Sequence, residues 1–229
     1  MCGIAGIINF NKKSNTPFLE RMLNSMNFRG PDNKVSVSGN FYDIGMVRLS
    51  IIDLSQKGNQ PFLSEDKKIS VIYNGEIYNY EELKNQFFPN YRFSSTCDGE
   101  IIPLMYKKFG MSFIEHLKGM FAIAIIDTES NELILIRDRF GIKPLYYHFN
   151  KTDSELTFAS EIHTLFKNEK IEKKENYAET NRYLNFGLVS STNETWFKNV
   201  YQVEPGQFLK FSKGNFTLKK YYQIEKKID

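Results

Sequence analysis

An α+β fold built on largely antiparallel sheets is what this sequence predicts, on three observations. Runs rich in β-branched and aromatic residues outnumber helical ones along the chain. The helical stretches do not alternate regularly with the strands, which argues against a doubly wound parallel sheet. The segment "MFAIAIIDTESNELILIRD" reads as a hairpin, two β-rich runs around the turn "DTESNE". At 229 residues, 41% hydrophobic, the chain has enough material for a packed core in one large domain or two small ones.

The elements follow in order. "CGIAGIINF" alternates small and apolar residues and ends in the turn cluster "NFNKKSN", a first strand with little bulk near its start. "TPFLERMLNSMNF" sets Phe18, Met22 and Met26 at helical spacing, with Thr16 as N-cap and Pro17 in the first turn. "RGPDN" stops that helix. "YDIGMVRLSIIDL" and "KKISVIYNGEIYN" read as strands, each running into a polar turn. "YEELKNQF" and "DGEIIPLMYKKFG" read as short helices, Pro103 lying early enough in the second to be tolerated. After the hairpin, "PLYYHF" and "SELTFAS" give two strands and "EIHTLF" a short helix. "KNEKIEKKEN" is a charged surface connection, "YAETNRYLNF" restarts a helix, and "NVYQVEPGQFLKFSKGNFTLKKYY" reads as a hairpin turning at "KGN". A core of about residues 2–166 with an extension over 167–229 is the expected organisation, favoured over a separate second unit.

Bulk properties exclude several functions. The net charge is +3, and the lysines cluster only at 167–174 and 219–227, too dilute for the concentrated basic stripe that nucleic acid requires. No apolar run approaches a membrane span. The N-terminus lacks a basic leader and its apolar run is too short for a signal peptide. Two cysteines without framework spacing suit a reducing, cytoplasmic setting. No Cys/His cluster has zinc-ligand spacing, so no catalytic metal is expected.

Four places can carry chemistry. Cys2 is either a small buried hydrophobe or, once Met1 is cleaved, a thiol that shares its residue with a free α-amino group. An α-amino group has a pKa of about 7.7–8.0 and serves as general base near neutral pH without histidine. Cysteine is small enough to permit methionine excision, and Gly3 leaves room beside the thiol. "YNGEIYN" (73–79) is either a hairpin turn or a place where the Gly75 N–H and the Asn79 amide form an oxyanion hole. Arg48, inside "VRLSIID", is either an edge-strand arginine with its head in water or a guanidinium aimed at a carboxylate. Asp98, in "TCDGE", is either an N-cap or a partner for an ammonium. Arg48 and Asp98 as a pair would recognise an amino-acid zwitterion. "RGPD" (29–32) and "RDRFGIKPLYY" (137–147) alone read as loop-shaping runs.

Taken together, "MCGIAGI", "RGPD", "RLSIID", "NGEIYN", "DGE", "GMFAIAIID", "RDRFGIKPLYY" and "FASEI" resemble, in this order, the glutaminase domain of glutamine-hydrolysing asparagine synthetases. The motifs are dense from Cys2 to about Glu161 and looser from there to "KKYY". That family belongs to the class II glutamine amidotransferases, which are N-terminal-nucleophile hydrolases. The resemblance implies a four-layer αββα sandwich. Glucosamine-phosphate synthases and amidophosphoribosyltransferases share the fold, but they usually carry histidine before the "NG" where this chain has Tyr73. Two further departures are Phe28, where the family commonly has histidine, and Cys97, where serine or threonine is usual.

By resemblance, Cys2 is the nucleophile, its α-amino group the base, and the Gly75 N–H with the Asn79 side chain the oxyanion hole. Arg48 holds the glutamine α-carboxylate and Asp98 the α-amino group. Leu49, Ile51, Ile52, Asn74 and Glu76 frame the glutamine site. The implied reaction hydrolyses glutamine to glutamate and ammonia for asparagine synthesis. The family's "SGGxDS"-type ATP-binding motif is absent from these residues. ATP and magnesium are therefore expected only in a further synthetase domain, in cis or in trans, and the chain is expected to be a fragment of a longer synthetase. A stand-alone domain, a homodimer, another carboxylate as ammonia acceptor and a non-catalytic docking module all stay open.

Overall fold

The computed structural model describes residues 1–11, 16–189 and 192–224. Among these residues twelve strands form two six-stranded sheets. The first sheet has the order β10-β8-β9-β1-β3-β2, built from β1 (Gly3–Asn9), β2 (Asn33–Ser38), β3 (Tyr42–Arg48), β8 (Tyr146–Asn150), β9 (Glu155–Ala159) and β10 (Val200–Gln202). The second has the order β12-β11-β7-β6-β5-β4, from β4 (Phe62–Leu63), β5 (Ile69–Ile77), β6 (Gly119–Asp127), β7 (Glu132–Arg137), β11 (Gln207–Ser212) and β12 (Asn215–Lys220). Every strand pairing within them is antiparallel.

The period-2 alternation of the strands sorts their side chains into layers. From β1, Ile4 and Ile8 face the second sheet, where they join Ala122, Ala124 and Ile126 of β6 and Leu209 and Phe211 of β11 in one core. The alternate residues Ala5 and Ile7 face outward, onto Leu19, Met22 and Leu23 of α1 (Thr16–Ser25) and Leu165 of α5 (Ile162–Leu165). On the other side, Phe121, Ile123 and Ile125 of β6 pack against α2 (Tyr80–Phe87), α3 (Ile101–Phe109) and α4 (Phe113–His116) through Leu83, Ile102, Met105 and Phe113. Helix, sheet, sheet and helix therefore stack as four layers, the αββα sandwich. The last helix, α6 (Tyr177–Phe186), precedes the final three strands.

The structure corrects several local expectations. β3 ends at Arg48, and the "SIIDL" that follows is a loop, with Ile51 71% exposed. "NG" at 74–75 is no turn: it lies inside β5 and pairs with β6. β2, β4, β10 and α4 were not expected as separate elements. The Thr16 side chain, expected as a cap, and the turn at 12–15 lie outside the described residues.

Candidate active site

β1 and β5 run side by side across the two sheets, and their ends open onto a pocket of about 80 Å³. Cys2 lies at the mouth of β1. Its thiol donates to the Leu49 carbonyl at 3.6 Å and accepts from the Leu49 N–H at 3.4 Å. Its own carbonyl accepts from Arg29 Nε at 2.9 Å, and the Arg29 guanidinium is ion-paired with Glu161. Met1 lines the pocket too, its sulfur 3.1 Å from Lys143 Nζ.

β5 supplies the opposite wall. A strand residue turns its N–H and C=O to the same neighbour, and the direction alternates along the chain. Phe121, opposite Gly75 on β6, gives both its N–H and its C=O to Asp138. The pair is thus not hydrogen-bonded across β5 and β6, and the Gly75 N–H points away from β6. Its neighbours at i±2 show where: the Tyr73 N–H donates to Gln60 Oε1 at 2.7 Å and the Ile77 N–H to Asp98 Oδ2 at 2.6 Å. The Gly75 N–H lies between them on the same edge, with the pocket alongside. Only glycine fits here, because a Cβ would come within 2.3 Å of the Met120 carbonyl oxygen. Asn74, 1% exposed, also lines the pocket, and its side-chain amide nitrogen has no hydrogen-bond partner among the described residues. A buried donor without a partner costs about 1–3 kcal/mol, a cost that a ligand oxygen would relieve.

Two buried charges complete the pocket. Arg48, 6% exposed, donates to the carbonyls of Ser55 and Asp53 and to Asn59 Oδ1, but to no carboxylate among the described residues. Asp98, 1% exposed, accepts from the Tyr73 hydroxyl, the Ile77 N–H and the Cys97 thiol, and meets no cation among the described residues. It caps no helix through its side chain, since its acceptors are turned to β5. Burial, then the Asp98 charge, pushes the Tyr73 phenol well above its ordinary value, so it stays a donor to Asp98. Burial pushes the Cys97 thiol up to about 12.

The pocket therefore brings together Cys2, Arg48, Leu49, Ile51, Ile52, Asn74, Gly75, Glu76 and Asp98. Asn79 is not among its lining residues. Its amide donates to the His116 carbonyl at 3.0 Å and accepts from the Lys118 N–H at 2.9 Å, tying the start of α2 to the end of α4. Gln60, Asp53 and Lys143 line the pocket without having been singled out. An isolated "NQP" gave no signal for Gln60, whereas Lys143 stood within "RDRFGIKPLYY".

The glutamine amidotransferase domain family matches residues 1–222. This chain belongs to that family. Among its relatives, asparagine synthetase [glutamine-hydrolyzing] 2 of Bacillus subtilis is 39% identical, over 93% of this chain and 29% of its own length. A putative asparagine synthetase [glutamine-hydrolyzing] 2 of Methanocaldococcus jannaschii is 36% identical, over 98% of this chain and 47% of its own. This amidotransferase domain thus spans less than half the length of either relative. The glutamine phosphoribosylpyrophosphate amidotransferase of B. subtilis shares the fold, with a TM-score of 0.70 over 97% of this chain and 50% of that one, at 19% identity. Among the described residues no group of His, Cys, Asp and Glu could hold a metal ion, and no helix is long and apolar enough to cross a membrane.

Proposed function

We propose that this amidotransferase domain hydrolyses glutamine with Cys2 as nucleophile and passes the ammonia to an ATP-dependent synthetase part that makes asparagine from aspartate. One observation carries the glutamine site: a buried guanidinium without a carboxylate and a buried carboxylate without a cation, among the described residues, line the same small pocket. Uncompensated buried charges are costly, and an α-amino acid supplies the missing partner to each. Arg48 takes its α-carboxylate and Asp98 its α-ammonium, which leaves the carboxamide to reach Cys2.

With Met1 removed, the Cys2 α-amino group accepts the thiol proton. The sulfur bonds to the carboxamide carbon, and the resulting oxyanion is held by the Gly75 N–H and by Asn74 Nδ2. We assign this role to Asn74 rather than Asn79, because Asn74 lines the pocket with a donor that has no partner among the described residues, whereas the Asn79 donor is held by the His116 carbonyl. The C–N bond then breaks, and ammonia leaves with the proton held by the α-amino group. Water adds to the γ-glutamyl thioester, releasing glutamate and restoring the thiol.

Aspartate is favoured as acceptor by the named activity of the two relatives. We place the acceptor site, with ATP and magnesium, in a synthetase part outside these residues. The test is glutamate release from glutamine by the purified protein and by Cys2→Ala. Activity that depends on the thiol supports the assignment; equal rates would refute it.

A further inference from the structure

One buried cation in the pocket has no role in the chemistry above. Lys143 is only 5% exposed. A lysine that serves packing alone lays its stem on apolar surface and keeps its ammonium in water; this one does not. Among the described residues Lys143 pairs with no carboxylate, and the acceptor its ammonium meets is the Met1 thioether, at 3.1 Å. A thioether is a weak acceptor, and it belongs to the residue that methionine excision removes.

The fold holds this lysine in place from both sides. The chain from 138 to 143 winds around the fully buried Asp138 carboxylate, which accepts from the N–H groups of Phe140, Ile142 and Lys143 at 2.9–3.1 Å. Arg137 grips the carbonyls of the same loop, Gly141 and Lys143, at 2.9 Å. Gly141 makes the turn at φ +66°, a conformation that other residues rarely adopt. Two buried charged side chains thus fix the backbone that delivers one ammonium to the pocket that holds Cys2.

We propose that Lys143 is a positioning residue for the amidotransferase reaction: after Met1 leaves, its ammonium faces the Cys2 sulfur and stabilises the thiolate that attacks the carboxamide. This rests on Cys2 being the nucleophile. The charged and titratable groups around the ammonium are Arg29 after α1, Asp138 on its own loop, Cys2 just before β1 and Glu76 on β5. Of these, Arg29 is already ion-paired with Glu161, and Asp138 is bonded to backbone N–H groups. Burial, then the Arg29 charge, holds Lys143 below its ordinary value. A new thiolate beside it would be a favourable partner.

The experiment uses the protein with Cys2 as first residue, verified by intact mass. Alkylation by iodoacetamide is followed from about pH 5 to about pH 10, with Cys2 labelling read on the N-terminal peptide. In Lys143→Met the labelling midpoint should rise by about one pH unit, the change expected on losing an opposite charge nearby. The acidic limb of kcat/KM for glutamine should move with it, while KM stays near that of the wild type and Lys143→Arg restores the midpoint. Lys143→Gln provides a second neutral side chain should methionine pack poorly there, and it must move the midpoint the same way. A folded neutral variant with the wild-type midpoint would overturn the proposal. If instead Cys2→Ala still hydrolyses glutamine, the nucleophile assignment fails, and the labelling midpoint still reports on Lys143 by itself.

Discussion

Asn74 and Asn79 stand five residues apart: Asn74 lines the pocket with a donor that has no partner among the described residues, and Asn79 gives its donor to the His116 carbonyl. Removing one oxyanion donor typically lowers kcat by about 100–1000-fold, and Asn74→Ala should show that loss in steady-state glutaminase assays. Asn79→Ala should instead act on stability, lowering the midpoint of thermal unfolding, because it unties α2 from α4. From the sequence the oxyanion donor falls to Asn79 and only a framing place to Asn74, because "NG" reads there as a turn. The structure separates them: the Asn79 amide donates to the His116 carbonyl, while the Asn74 amide nitrogen has no partner among the described residues. Cys2, Arg48 and Asp98 were legible because an isolated charge or thiol stands out in an apolar strand or a tight turn. Gln60 was not, because its two bonds to the backbone of Tyr73 exist only after a long loop has folded back. The second cysteine is buried where the first is partly exposed. Burial disfavours the Cys97 thiolate and pushes its thiol up to about 12. Below that value it stays protonated, so mass mapping after iodoacetamide treatment near pH 8 should find Cys2 modified and Cys97 intact.

At the level of elements, helices and long strands follow their hydrophobic periods, and the exceptions have physical causes. β2 reads "NKVSVS", too polar to be recognised alone; it forms because β3 offers it an edge. β4 is two residues long, below the reach of any pattern. The run "SIIDL" carries apolar residues at strand spacing, yet Ile51 and Leu54 are exposed. The chain there bends to wrap the Arg48 guanidinium, whose bonds to the Ser55 and Asp53 carbonyls need a loop. The 138–143 loop is held around the buried Asp138 carboxylate. Asp138→Ala would orphan the N–H groups of Phe121, Phe140, Ile142 and Lys143 together. Urea denaturation should report a loss of about 3 kcal/mol.

Across the whole molecule, the two sheets share one core, and residues late in the chain fill it. Leu209 and Phe211 of β11 are fully buried between the sheets, while β10 forms an edge of the first sheet. A chain ended just before β10 should therefore lose its cooperative unfolding transition in circular dichroism, even though all of the pocket's lining residues precede that point. The pocket itself lies where β1, the end of β3 and β5 meet, so residues far apart in sequence converge only when the sandwich is complete. Antiparallel α+β character was legible from the hairpin over 120–138 and the lack of regular alternation; the stacking into four layers came from the resemblance. Removal of Met1 is the step that turns this architecture into the proposed catalyst. The most direct measurement is glutamate release by the protein with Cys2 as first residue, compared with Cys2→Ala and with the same protein retaining Met1. Activity confined to the first of the three is the expected result; equal hydrolysis by either of the others would contradict an N-terminal cysteine that supplies both nucleophile and base.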